Sequence, residues 1–113
     1  MATSGLRGPF PLTKDGIDNN VTGTSAGAYA LGATKDNTFY ISYVGRSDAD
    51  VADRLKDHIS AYKQFKYEFY DSAKAAFEKE GHLYHDFKPG GNVNHPARPS
   101  GTFWKCPRCT IFD

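Results

Sequence analysis

"GAYALGATKDNTFYISYVGRS", Gly27 to Ser47, is the stretch on which the reading of the fold turns. Gly27 to Ala33 is small and apolar, Thr34 to Asn37 is a polar turn, and Thr38 to Gly45 is β-branched and aromatic. Two short strands joined by a tight polar loop make a hairpin. After Gly45 the period changes. Ser47 can cap a helix, with Asp50 three residues on in the capping-box position. Val51, Leu55 and Ile59 then recur every four residues, which is a helical apolar stripe. Arg54 and His58 share that spacing on a neighbouring face. The strand is thus expected to deliver the chain into a helix that carries an arginine and a histidine side by side.

Outward from this stretch, Gln64 to Asp71 alternates aromatic and polar residues, a strand signature. Asp71 to Phe87 returns to helix with Ser72 as cap, and Gly81 interrupts it at about 1 kcal/mol relative to Ala. Met1 to Ser25 reads as an irregular lead-in with one short helical turn near Asp15 to Val21. Lys88 to Thr102 is a Pro/Gly/Asn loop, and "FWKCPRCTIFD" closes the chain. The expected fold is α/β of the α+β kind: a three-stranded antiparallel sheet flanked by helices, in the order β-β-α-β-α. Its expected divisions are a lead-in (1–25), a body (26–95) and a tail (96–113) packed on the same domain.

The 113 residues suit one modest core, and 39% hydrophobic with 24% charged residues is ordinary for a globular protein. A net charge of +1 provides no global basic field, so a polyanion would need a local patch. No apolar run approaches the roughly 20 residues that span a bilayer, and the N-terminus lacks the apolar core of a secretory signal. With only two cysteines a disulfide scaffold is implausible, and a cytoplasmic setting with no membrane partner is expected.

"GAYAL" and "YVGRS" on consecutive strands resemble the two motifs that name the GIY-YIG nucleases, with Ala28 and Val44 in place of isoleucines. An arginine on the next helix, a histidine one turn later, a helical glutamate and a terminal asparagine follow in the family's order, over about Gly27 to Asn94. "GPFPLT" and "NHPARPSGTFWKCPRC" further resemble small stand-alone bacterial or phage members. The resemblance implies a catalytic domain over 26–95 and a metal-dependent endonuclease that hydrolyses DNA phosphodiesters. Tyr29 would take a proton from water or position it, and Tyr43 would hold the phosphate or the water. Arg54 would grip a non-bridging oxygen, as suits a planar permanent cation. His58 would bond Tyr29 or the water, or share the base role. Glu80, preferred to Glu78 for its apolar pair Leu83 and Tyr84 and its distance from Asn92, would hold Mg²⁺ or Mn²⁺. Asn92 would brace the site, with Asn94 as the fallback. Arg46, Lys63, Lys66 and Arg98 are candidates for DNA-backbone contacts.

The competing function is a catalytically silent nucleic-acid-binding module, and an RNA or small-molecule hydrolase on the same scaffold is a third. With no dedicated recognition segment in view, specificity is expected to be low or to come from DNA structure, a homodimer or a protein partner. "CPRC", Cys106 to Cys109, is half of a zinc signal. With His82, His85 or His95 it could complete a Cys2His2 site for structural Zn²⁺. Free thiols, or a disulfide or dimer bridge, are the other readings.

Overall fold

The structure is a computed structural model, described here for residues 5–92, 95–98 and 101–112. It is α+β, with a four-stranded antiparallel sheet and three helices among the described residues. β1 (Arg7–Pro11) and α1 (Lys14–Asn20) precede the hairpin of β2 (Gly27–Lys35) and β3 (Thr38–Ser47). α2 (Val51–Lys56), β4 (Gln64–Phe69) and α3 (Ala73–Phe87) follow. The strands lie in the order β1-β4-β2-β3.

Asp36 and Asn37 close the hairpin with φ of 53° and 66°. Two successive positive φ angles match the right-handed twist of the flanking strands, and Asp and Asn tolerate them. β2 is an interior strand, between β4 and β3, and alternates its side chains between two cores. Tyr29 and Leu31 join Leu12, Ile17, Val21, Val51, Leu55, Phe65 and Tyr67 on the face covered by α1 and α2. Ala28 and Ala30 join Val44 and Leu83 beneath α3. Fully burying a side chain such as Leu31 is worth roughly 1.5–3 kcal/mol, and Gly27 to Gly32 of β2 are all buried. No helix among the described residues is long and apolar enough to cross a membrane.

Three expectations need correction. The sheet has four strands rather than three, because Arg7–Pro11, inside the expected lead-in, pairs antiparallel with β4. Two prolines hid this strand; at a sheet edge they are tolerated because an outward-facing N–H is not needed there. Secondly, the cap of α2 is Asp50, whose side chain accepts from the Asp53 N–H. Ser47 ends β3 instead, and its Oγ accepts from the N–H groups of Asp50 (2.8 Å) and Ala49 (3.3 Å), turning the chain into the helix. Thirdly, α2 stops at Lys56, so His58 does not share a helix face with Arg54. It lies in the following turn, where its N–H bonds the Leu55 carbonyl at 3.0 Å.

Candidate active site

β3 is an edge strand, and around it the two faces of the sheet meet. Tyr29 lies directly opposite Gly45 in the β2–β3 register. A Cβ at Gly45 would stand 2.5 Å from both Cζ and Oη of Tyr29. The glycine of "YVG" is therefore the space into which the tyrosine of "GAY" lays its ring. The glycine of "GAY" has a matching reason: a Cβ on Gly27 would collide with the Glu68 carbonyl and meet Val51 Cγ2 at 2.6 Å. Both glycines are thus packing solutions, Gly45 for the Tyr29 phenol and Gly27 for the close approach of β4 and α2.

That phenol borders a cavity of about 620 Å³ lined by Tyr29, Tyr43, Arg46, Asp48, Arg54, Glu80 and Asn92, with the segment His95–Ala97 completing the wall. His58 stands behind Tyr29, with Nε2 3.1 Å from Oη, and its ring also packs on Tyr43 at 5.2 Å between centroids. Burial, with the neighbouring Arg54 charge, lowers the His58 pKa below the usual imidazole value, so the ring is neutral at pH 7. In the tautomer with its proton on Nδ1, Nε2 accepts from the Tyr29 hydroxyl. Burial, followed by Tyr43, raises the Tyr29 pKa well above that of a free phenol, and the opposing pull of Arg54 does not cancel it. Tyr43 is raised too, first by burial and then by Glu80.

Glu80 projects from α3 and is only 7% exposed. Its Oε1 accepts from Arg46 Nη1 at 2.6 Å, and Arg46 also bonds Asp48 Oδ1 (3.0 Å) and the Ala97 carbonyl (2.6 Å). Desolvation raises the Glu80 pKa, with Arg46 opposing it. Arg54 contrasts with Arg46: its side chain is 58% exposed, and its ion pair with Asp57 spans a loose 3.8 Å. It is the cavity's freer cation. Asn92 takes both backbone groups of Val44, its Oδ1 accepting from the N–H at 2.8 Å and its Nδ2 donating to the carbonyl at 2.9 Å. The side chain behaves as one more residue of strand on the open edge of β3.

Tyr29, Tyr43, Arg54, Glu80 and Asn92 therefore share one cavity, and His58 reaches it through Tyr29. Glu78 is not among the lining residues. Nor are three of the four residues suggested for DNA contacts. Lys63 is exposed at the turn before β4, Lys66 lies over the Phe39 ring, and Arg98 donates to the Trp104 carbonyl and covers Phe112. Arg46 is in the wall, committed to Glu80, Asp48 and Ala97. Asn94 falls outside the described residues. Sequence reasoning missed Asp48 and the Ala97 carbonyl. The first could have been suspected from its two-residue spacing from Arg46, but the second depends on a long loop folding back.

A second group of ligating side chains lies at the far end of α3, where His85, His95, Cys106 and Cys109 bring one donor atom each to within 4.8 Å of one another. Comparison with known proteins adds nothing to either site: no family model, no curated protein and no solved structure matches the chain.

Proposed function

We propose that the chain is a small GIY-YIG-type endonuclease that hydrolyses DNA phosphodiesters by attack of water in one in-line displacement. The observation that carries this reading is the Tyr29–His58 hydrogen bond at the wall of a cavity that also holds a buried carboxylate and a freely presented guanidinium. Phosphodiester hydrolysis needs those three functions: proton removal from water, charge neutralisation at phosphorus, and a site for a divalent ion.

The raised pKa of Tyr29 makes it a poor store of negative charge and a good relay. As water attacks phosphorus, its proton passes to Tyr29 Oη while the Tyr29 proton passes to His58 Nε2. The new P–O bond forms, the bond to the leaving oxygen breaks, and that oxygen takes a proton from solvent water. Arg54 grips a non-bridging oxygen with charge-assisted hydrogen bonds. Tyr43 holds the phosphate or the water beside it.

Glu80, with Asp48 across Arg46, would be the carboxylate pair to hold a Mg²⁺ or Mn²⁺ ion, since Mg²⁺ sites use one or two carboxylates and leave other positions to water and phosphate. A cation there would also relieve the cost of an ionised carboxylate held out of water. The ion would supply positive charge for the developing oxyanions. Arg46 keeps the carboxylate in place.

The test is a panel of single-stranded, duplex and branched DNA and of RNA oligonucleotides, incubated with Mg²⁺ or Mn²⁺ and wild-type protein or Glu80→Gln. Metal-dependent cleavage of DNA by the wild type alone is expected. Binding by both proteins with cleavage by neither would favour the silent binding module, and preferential RNA cleavage would reassign the substrate.

A further inference from the structure

The C-terminal tail has a built place on α3. A Cβ on Gly81 would stand 3.2 Å from Cys106 Sγ and 3.4 Å from Pro107 Cδ, so the mid-helix glycine is a notch for the "CPRC" turn. Cys106 is buried there, and its Sγ receives hydrogen bonds from the backbone N–H groups of Arg108 and Cys109. Around it, Trp104 and Phe112 both pack on the Phe77 ring, and Phe112 also meets His95.

The polar centre of this packing is unusual for hydrogen bonding alone. His95 Nδ1 lies 2.9 Å from the Pro96 carbonyl, which can only accept, so the proton of neutral His95 sits on Nδ1. Its Nε2 then carries a single lone pair. That lone pair faces His85 Nε2 at 3.2 Å and Cys109 Sγ at 3.4 Å together. One lone pair cannot serve two donors well. One ion between the three atoms can be served by all of them.

We infer that His85, His95, Cys106 and Cys109 form a structural zinc site that clamps the tail to α3. Zn–S and Zn–N bonds of about 2.0–2.3 Å give tetrahedral edges of about 3.3–3.8 Å; the His85–His95 and His95–Cys109 pairs stand at 3.2 and 3.4 Å, and all four donor atoms lie within 4.8 Å of one another. The His95–Pro96 bond is the outer contact that orients a ligating imidazole. Two sulfurs and two nitrogens fill the four positions, so the site is closed and holds structure rather than a reacting water. The sequence offered His82 and His85 equally, and the end of α3 selects His85. His95 also begins the segment whose Ala97 carbonyl accepts from Arg46, so zinc would hold one wall of the cavity.

The experiment uses full-length protein purified with a reductant that does not bind metal. Elemental analysis should find one zinc per chain. Exchange into Co²⁺ should give a thiolate-to-cobalt charge-transfer band and the strong visible absorption of a tetrahedral ion. Cys109→Ser and His85→Gln should each lose both signals, while His82→Gln keeps them. Wild-type protein that retains no zinc after incubation with Zn²⁺ and gel filtration, or a Co²⁺ spectrum without a thiolate band, would overturn the inference whatever the variants do. Loss of metal in His82→Gln but not in His85→Gln would overturn the ligand assignment. Zinc content and cleavage are read separately, so either proposal can fail without the other.

Discussion

If Tyr29 and His58 pass one proton between them, removing either should cost the same catalytic step. Tyr29→Phe deletes only the hydroxyl. The ring is 2% exposed and its packing survives, so the fold loses at most one hydrogen bond, worth about 0.5–1.5 kcal/mol net. At about 4 °C per kcal/mol for a domain of this size, the melting temperature should fall by a few degrees at most. General acid–base catalysis is worth roughly 10²–10⁴-fold, or about 2.7–5.4 kcal/mol of barrier, so the rate loss should far exceed the stability loss. His58→Gln keeps a hydrogen-bonding group near Tyr29 without a titratable ring and should lose a comparable factor. The assay is single-turnover cleavage of a labelled oligonucleotide by wild type, both single variants and the double variant. The double variant should be no slower than the slower single one, because groups acting as a unit are not additive. The wild-type rate should also rise with pH along a limb that titrates below the usual imidazole pKa of about 6.5, because burial keeps His58 neutral. That limb should vanish in His58→Gln. Losses that multiply, or a limb that persists without His58, would refute the relay.

Gly45→Ala should be damaging out of proportion to one methyl group. The added Cβ lands 2.5 Å from the Tyr29 phenol, whose ring is packed and cannot retreat, so a stability loss of roughly 1–3 kcal/mol and near-complete loss of cleavage are expected. Thermal melts and cleavage rates at wild-type levels would contradict this. Asn92→Ala removes the two bonds to Val44 and should cost about 1–3 kcal/mol by denaturant titration, with wild-type stability contradicting its bracing role. Glu80→Gln tests the buried carboxylate through pH. Desolvation raises its folded-state pKa, so its stabilising contribution is complete at acid pH and is lost as pH rises through that value. With chelator present, the melting temperature of Glu80→Gln minus that of wild type should therefore grow from near zero at acid pH to a positive plateau above the raised folded-state pKa. A negative plateau would mean that the Arg46 ion pair outweighs desolvation.

Much of this was legible in the sequence. The β2–β3 hairpin showed itself through its glycines, the Asp36–Asn37 turn and the β-branched run. The same two motifs marked Tyr29 and Tyr43, because the packing that makes Gly45 necessary, against Tyr29, lies within the β2–β3 hairpin. Other features were hidden for reasons of long-range structure. β1 carries two prolines and becomes a strand only because β4 presents an edge to it. The end of α2 has no Gly or Pro to announce it. The turn instead relies on Ser60 at a φ of 73°, which no periodicity foretells. The role of Arg46 depends on Glu80, 34 residues away, and the place of His95 beside His85 and Cys109 on a loop that returns to α3.

The most direct measurement is single-turnover DNA cleavage with Mg²⁺ by wild type and Arg54→Ala at saturating protein, alongside thermal melts of both. Arg54 is exposed and loosely paired, so the variant should melt within about 2 °C of wild type, since surface substitutions usually stay within about 0.5 kcal/mol. Its cleavage should fall by at least about 10²-fold, as expected when a donor to the transition-state charge is removed. Equal cleavage by the two proteins, or none by either on any DNA form, would contradict the assignment of this cavity to phosphodiester hydrolysis.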